Sequence, residues 1–183
     1  MVDRAQRSSP FVGLVLPLRA GDCVVRDAGP ASRFIFRGSH AAAAALGATF
    51  GATPPIKPRQ VAGNRARHAL WLGPDEWLLV AQDAEADQLA LDLRRTLGTE
   101  PHSLVDVSHR NVGLILEGAR VTDALSTGCP LDLEVDAFPV GTCARTVFGK
   151  AEIVLWRTAP HTFHLEVWRS FVPYVVVLLD AGR

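Results

Sequence analysis

The sequence predicts an α+β domain of two pseudo-repeated halves, each running strand, helix, hairpin, helix, with mostly antiparallel sheet and packed helices. Three observations predict it. Short apolar runs ending in glycine, SRFIFRG (Ser32 to Gly38) and VGLILEG (Val112 to Gly118), each precede a helix pattern, His40 to Phe50 and Arg120 to Gly128. Each of these helices is followed by two apolar runs around a turn. The first pair is HALWLGPDEWLLVA (His68 to Ala81), about Gly73-Pro74-Asp75; the second is EIVLWRTAPHTFHLEVW (Glu152 to Trp168), about Thr158-Ala159-Pro160. Each hairpin then leads into another helix pattern, Ala84 to Leu97 and Ser170 to Ala181. Two copies at so long a period describe one pseudo-symmetric domain rather than a solenoid. Its halves span about 31–100 and 101–183, behind an N-terminal arm and edge segment, 1–30.

Taken in order, Met1 to Pro10 reads as a polar arm. Phe11 to Leu18 is apolar, with Asp3 ahead of it and Arg19 closing it, and reads as an edge strand or as a segment that docks on a partner. A secretory signal would need a longer apolar core and a small-residue cleavage site. Ser39 is an N-cap for the alanine run Ala41 to Ala45. Thr53 to Arg67 is a loop, because Pro54, Pro55 and Pro58 prevent continuous helix. Its basic residues, Lys57, Arg59, Arg65 and Arg67, suit either a solvated connector or a partner-docking loop.

Ala84 to Leu97 is amphipathic, with Leu89, Leu91, Leu93 and Leu97 supplying apolar contacts and Glu85, Asp87 and Asp92 left in water. Arg94 and Arg95 suit its C-terminal dipole, and Gly98 ends it. Val121 to Ser126 is a short helix stopped by Gly128, with Pro130 beyond. Ser170 to Ala181 is nearly all apolar, with Pro173 in its first turn, and must be buried against sheet or another subunit.

Bulk properties exclude several functions. Of 183 residues 48% are hydrophobic, ample for a core without disulfides, and the formal net charge is zero. A neutral chain lacks the basic excess of a nucleic-acid or membrane-surface binder. No apolar run approaches the roughly twenty residues of a membrane span. Cys23, Cys129 and Cys143 are odd in number and lack CxxC spacing, which implies a reduced, cytoplasmic setting. His161 and His164, three apart on a strand, would face opposite ways, so no metal site is expected.

The densest polar cluster is Asp106, Ser108, His109 and Arg110. Adjacent strand residues point to opposite faces, so Ser108 and His109 cannot act as nucleophile and base. Asp106 and Ser108 can share a face, in a network that ties a strand end, with Arg110 paired to a carboxylate. Asp132 in GCPLDL caps a turn. Arg145, Arg157 and Arg169 lie on or beside the last strands and are candidates for an interface ion pair. Trp71, Trp77, Trp156 and Trp168 serve the core, or line a cleft that holds a flat ligand. There is no GxGxxG after a strand, Phe148-Gly149-Lys150 lacks the glycine-rich run of a P-loop, and no GxSxG elbow is present.

LGPDEWLLVA, LVDVSHR, GCPLDL, FPVGTCARTVFGKAEIVLWR and FHLEVWRSFVPYV together resemble the gamma subunit of bacterial heterotetrameric sarcosine oxidase, from roughly Ala31 to Ala181. That family is similar in fold to the folate-binding region of aminomethyltransferase T-proteins and to YgfZ-like proteins. The resemblance implies a non-catalytic assembly subunit of an enzyme that oxidatively demethylates sarcosine to glycine. Its partners would be the alpha, beta and delta subunits, chiefly alpha. FAD, FMN and NAD would sit on partner subunits, tetrahydrofolate would accept the one-carbon unit, and this chain would hold no cofactor. Arg110, Arg145, Arg169, Lys57 and Arg59 are the interface candidates. The KGCxxGQE signature of the YgfZ type is absent, since Gly128-Cys129-Pro130 does not match it. Two alternatives stand beside this reading. One is an independent folate binder or aminomethyltransferase-like enzyme with Asp106 as its ligand carboxylate in a concave apolar pocket. The other is a self-associating scaffold, a homodimer through free hairpin edges.

Overall fold

Period-two alternation assigns the apolar residues of each strand to one face or the other, and both faces are used. The computed structural model describes residues 11, 18–20, 22–82 and 84–181. The expected arm and most of Phe11 to Leu18 lie outside the described residues. In chain order the elements are β1 (Leu18–Ala20), β2 (Cys23–Asp27), β3 (Ser32–Gly38), α1 (His40–Phe50), β4 (Val61–Gly63), β5 (Arg67–Gly73), β6 (Glu76–Ala81) and α2 (Ala86–Leu97). They continue with β7 (His102–Asp106), β8 (Asn111–Glu117), α3 (Val121–Ser126), β9 (Cys143–Phe148), β10 (Ala151–Ala159), β11 (Thr162–Trp168) and α4 (Val172–Ala181).

A six-stranded sheet runs β1-β2-β8-β11-β10-β9 and a five-stranded sheet runs β4-β5-β6-β3-β7, every pairing antiparallel. Phe34, Phe36, Trp77 and Leu79 face α1 and α2 on the outer side of the five-stranded sheet. Leu114, Leu116, Leu155 and Leu165 face α3 and α4 on the outer side of the other. Leu70, Leu72, Leu78, Val80 and Val154 fill the space between the sheets. The result is four layers, helices outside and two sheets within.

The two sheets are laid out alike, β9-β10-β11-β8-β2 matching β4-β5-β6-β3-β7. The repeating unit is therefore longer by two strands than the sequence pattern suggests, a leading strand and the one that follows the first helix (β4, β9), and the leading strand is exchanged. β2 precedes the first half but pairs with β8, and β7 opens the second half but pairs with β3. Cys23 and Val25 of β2 are fully buried, so the folded body reaches back into the segment expected to be arm and edge. On the opposite margin the Gln60–Thr142 bridge stitches the sheets together.

Local signals act largely as read. Ser39 caps α1, its Oγ accepting the Ala42 N–H at 3.1 Å. Gly98 ends α2, and the Asp132 carboxylate accepts the Glu134 N–H at 3.0 Å in a turn. Three readings need correction. α2 begins at Ala86, two residues late, and Leu91 is exposed because Leu89, Leu93 and Leu97 already define its buried stripe. The Thr53 to Arg67 loop contains β4 and is clamped to the core by Trp77, whose Nε1–H donates to the Pro55 carbonyl at 2.7 Å. The last helix opens with a 3₁₀ turn, Arg169–Phe171, and buries one side only: Val172, Val175 and Leu179 are fully buried while Val177 is 64% exposed.

Arg157, read as an interface candidate, is instead buried under α3. Its guanidinium donates to the carbonyls of Phe138 (3.0 Å) and Leu133 (2.9 Å) and lies 4.6 Å from the Phe163 ring centroid. That contact fastens the long connection between α3 and β9 to the sheet.

Superimposing the ladders with Gly38 on Gly118 places Gly113 where the five-stranded sheet has Arg33. A Cβ on Gly113 would meet His164 Nε2 at 2.8 Å, Ala28 Cβ at 2.9 Å and Glu166 Oε1 at 3.0 Å. Gly113→Ala is expected to lower stability by about 1–3 kcal/mol, the range for overpacking a filled core. Gly73→Ala, whose added Cβ meets nothing closer than 3.7 Å, is the control and should change stability by less than about 0.5 kcal/mol. Thermal melts of both variants check this.

Candidate functional site

Alternation along β3 sends Phe34 and Phe36 toward the helices and Arg33 and Ile35 toward the opposing sheet. Alternation along β11 does the same with Phe163, Leu165 and Val167 outward and His164 and Glu166 inward. Arg33, 3% exposed, and Glu166, 1% exposed, thus meet between the sheets, Arg33 Nε donating to Glu166 Oε2 at 2.6 Å. Arg33 also donates from Nη1 to the Ala31 carbonyl at 3.0 Å. His164 Nε2 lies 2.8 Å from Glu166 Oε1. Beyond it the Trp156 ring sits 5.9 Å from His164 and 4.6 Å from His68 of β5. A hydrogen-bonded chain, Arg33–Glu166–His164, is therefore continued by ring contacts through Trp156 to His68.

Burial alone would raise the Glu166 carboxyl, but the Arg33 charge and the His164 hydrogen bond outweigh it and hold it below the usual carboxylate value. Burial, and the proximity of His164, lower the His68 imidazole. Both groups thereby favour the folded state most when His68 is neutral and Glu166 ionised.

The strand-end network stands next to this pair. Asp106 Oδ1 accepts from the Ser108 N–H at 2.8 Å and its hydroxyl at 2.5 Å, while Ser108 Oγ accepts the Arg33 N–H at 2.8 Å. The exposed Asp106 carboxylate thus closes the turn between β7 and β8 and braces the backbone that carries Arg33. Arg110 departs from its expected carboxylate. Its Nε donates to Asn111 Oδ1 at 3.0 Å and its guanidinium lies 5.2 Å from the Trp168 ring centroid.

Of the other interface candidates, Arg145 binds Glu76 through two hydrogen bonds, 3.0 and 3.1 Å, which ties β9 to the start of β6. The partly buried Arg169 donates its N–H to the Arg110 carbonyl at 2.8 Å. Lys57 and Arg59 are exposed at the tip of the basic loop, beside Ile56, which is 61% exposed. Arg59 holds a left-handed φ of 65° and reaches the Ala137 carbonyl at 3.1 Å.

A cleft of about 250 Å³ opens between the sheets, walled by Ile35, Leu72, Val105 and Val154 and bordered by Arg110, Arg145 and Trp168. Glu166 also lines it, and Asp106 does not. Among the described residues, no group of three or more His, Cys, Asp and Glu is arranged to hold a metal ion. Burial raises the Cys143 thiol to about 12, so it stays protonated while its Sγ–H faces the Gln60 and Trp71 carbonyls at 3.4 Å. No helix among the described residues is long and apolar enough to cross a membrane.

The sequence reading passed over Arg33 and Glu166, and weighed His164 only as a metal ligand. The signal was present as a charge inside each apolar run, SRFIFRG and FHLEVW, on the alternate face.

A family model described as sarcosine oxidase, gamma subunit family, matches residues 37–182. The chain is 36% identical over 140 residues to sarcosine oxidase subunit gamma of Corynebacterium sp. (strain U-96), across 75% of this chain and 67% of the relative. It is 35% identical over 166 residues to sarcosine oxidase subunit gamma of Arthrobacter sp., across 88% and 81%. Among solved structures, heterotetrameric sarcosine oxidase from Corynebacterium sp. U-96, in complex with pyrrole 2-carboxylate, contains a chain that matches with a TM-score of 0.86 at 30% identity. That match spans 96% of this chain and 94% of the other. Glycine cleavage system aminomethyltransferase T from Bartonella henselae matches at a TM-score of 0.66 and 13% identity, over 88% of this chain and 46% of that one, and shares the fold.

Removing one member of a buried ion pair strands the other, so Arg33→Met should cost about 3–5 kcal/mol. The double variant Arg33→Met/Glu166→Leu should recover part of that loss in urea titrations. Stability should also fall with acid in two stages. His68 sheds its contribution as pH drops below 6.5, its unfolded value, and Glu166 as pH drops below 4.5 toward its lower folded value. In melts from pH 8 to 3, His68→Gln should flatten the upper stage and leave the lower one in place.

Proposed function

Because the chain belongs to the sarcosine oxidase gamma subunit family, we propose that it is the gamma-type subunit of a heterotetrameric sarcosine oxidase and serves assembly rather than catalysis. The observation that carries this is the match, over nearly its whole length, to a chain of the Corynebacterium heterotetrameric enzyme. Its own polar groups support it. The Glu166 carboxylate is spent on Arg33 and His164, and Asp106 Oδ1 on Ser108, so both serve the fold.

In this reading alpha, beta and delta subunits complete a cytoplasmic enzyme that oxidatively demethylates sarcosine to glycine. FAD, FMN and NAD reside on the partners, and tetrahydrofolate takes the one-carbon unit. This chain contributes a four-layer body and basic groups, the exposed Lys57 and Arg59 on the loop tip, the exposed Arg110 and Arg145 beside the cleft, and the partly buried Arg169, which meet a partner, chiefly alpha. The competing reading, an independent folate binder built on Asp106, has fold-level support only.

Co-expression with the three other subunits, with the tag on this chain, is the test. Co-elution of a flavoprotein in fixed ratio with sarcosine-oxidising activity is the expected result, and omitting this chain should abolish the stable complex. An active complex of full stability formed without it would overturn the assembly role. Lys57→Glu should slow association at low salt by up to about tenfold and leave the melting temperature unchanged.

A further inference from the structure

The six-stranded sheet has one strand more than its pseudo-repeat, and the surplus strand is β1, paired outside β2 through Leu18–Val25, Arg19–Val24 and Ala20–Cys23. Ladder equivalence puts β7 where the other sheet has β2, since Val24 opposite Glu117 corresponds to Ser103 opposite Arg37. Among the described residues β7 pairs only with β3, so the position that β1 fills in one sheet stands open in the other.

The open edge can be resolved by residue. Val107 donates its N–H to the Arg33 carbonyl at 2.9 Å, and pairing alternates along an antiparallel ladder. Ser103 and Val105 therefore direct their backbone groups to β3, and His102, Leu104 and Asp106 direct theirs outward. The outward Leu104 carbonyl is met by an Arg94 Nη2 at 3.4 Å, a long contact from a displaceable side chain. Edge strands are ordinarily defended by lysine, proline or a bulge, and HSLVD contains none of these. On the inner face of β7, Val105 is 50% exposed and forms a wall of the 250 Å³ cleft, whose border carries Trp168 and Arg110. Among the described residues no carboxylate pairs with the Arg110 guanidinium.

We propose that the outer edge of β7 accepts an extended segment of a partner subunit. The segment adds antiparallel, as β1 does on β2. It places an apolar side chain against Val105 in the cleft and an acidic one facing Arg110. Main-chain hydrogen bonds to His102, Leu104 and Asp106 give affinity, and the cleft gives selectivity. The site rests on the assembly reading and says where that assembly is made.

The test uses the assembled complex. Hydrogen exchange at the amides of His102, Leu104 and Asp106 should slow at least tenfold on assembly. Val105→Lys puts a charge at the cleft mouth, and His102→Pro removes one outward donor without touching the β3 bonds. Each should weaken assembly at least tenfold while the isolated variant melts within a few degrees of wild type. Unchanged exchange at those amides in the wild-type complex overturns the site, as does assembly of both variants at wild-type affinity. Failure of the wild-type chain to assemble at all overturns the subunit reading itself, and is told apart by that control.

Discussion

The Arg33–Glu166 pair, closed off between two sheets, sets terms for everything around it. A guanidinium and a carboxylate taken out of water cost several kcal/mol each unless nearly every polar atom is matched. Arg33 meets that demand with Glu166 and the Ala31 carbonyl, and Glu166 uses its other oxygen for His164. Room for this set exists because Gly113 lacks a Cβ at the one place where a second side chain would enter. The pseudo-repeat is symmetric in its ladders and asymmetric at its centre, arginine on one sheet and glycine on the other. A symmetric core could not hold two arginines in that space.

From this centre the rest can be followed outward. The backbone of Arg33 is braced by Ser108, Ser108 is held by Asp106, and the turn they close begins β8, which carries Gly113. β8 pairs with β11, where Glu166 stands opposite Gly113. The circuit returns to its origin through both halves of the chain. The exchange of β2 and β7 encloses it, so each sheet contains a strand contributed by the other half, and neither half is a unit by itself.

Much of the architecture was legible in short-range patterns. Glycine-terminated strands, the two hairpins, the Ser39 cap and the Gly98 stop depend on residues within a few positions of one another, and sequence displays such neighbours directly. The exchanged strands were not legible, because CVVRD and HSLVD are short and their partners lie far along the chain. The polar centre was missed for a related reason. Arg33 within SRFIFRG reads as a solvent-facing residue of a half-buried strand, and only the opposing sheet turns that face inward. Asp106 and Ser108 were readable as a strand-end pair because two residues suffice to build the contact, whereas Arg110 was assigned a carboxylate and found an amide and an indole.

The crossing of β2 into the second half has a consequence for how the chain is made. Val24 leaves the ribosome long before Glu117, its ladder partner. At synthesis rates of about 5–20 residues per second that interval is on the order of five to twenty seconds. Throughout it the first half can close its helices and hairpin, while Cys23 and Val25 have no core to enter. The nascent chain thus carries β2, an apolar strand with β1 alone to pair with and no core to cover it, until β8 has been made. Final closure is a late, long-range event, slow by the logic of non-local contacts. Codon usage, chaperone contact and the timing of partner synthesis would all act on that interval.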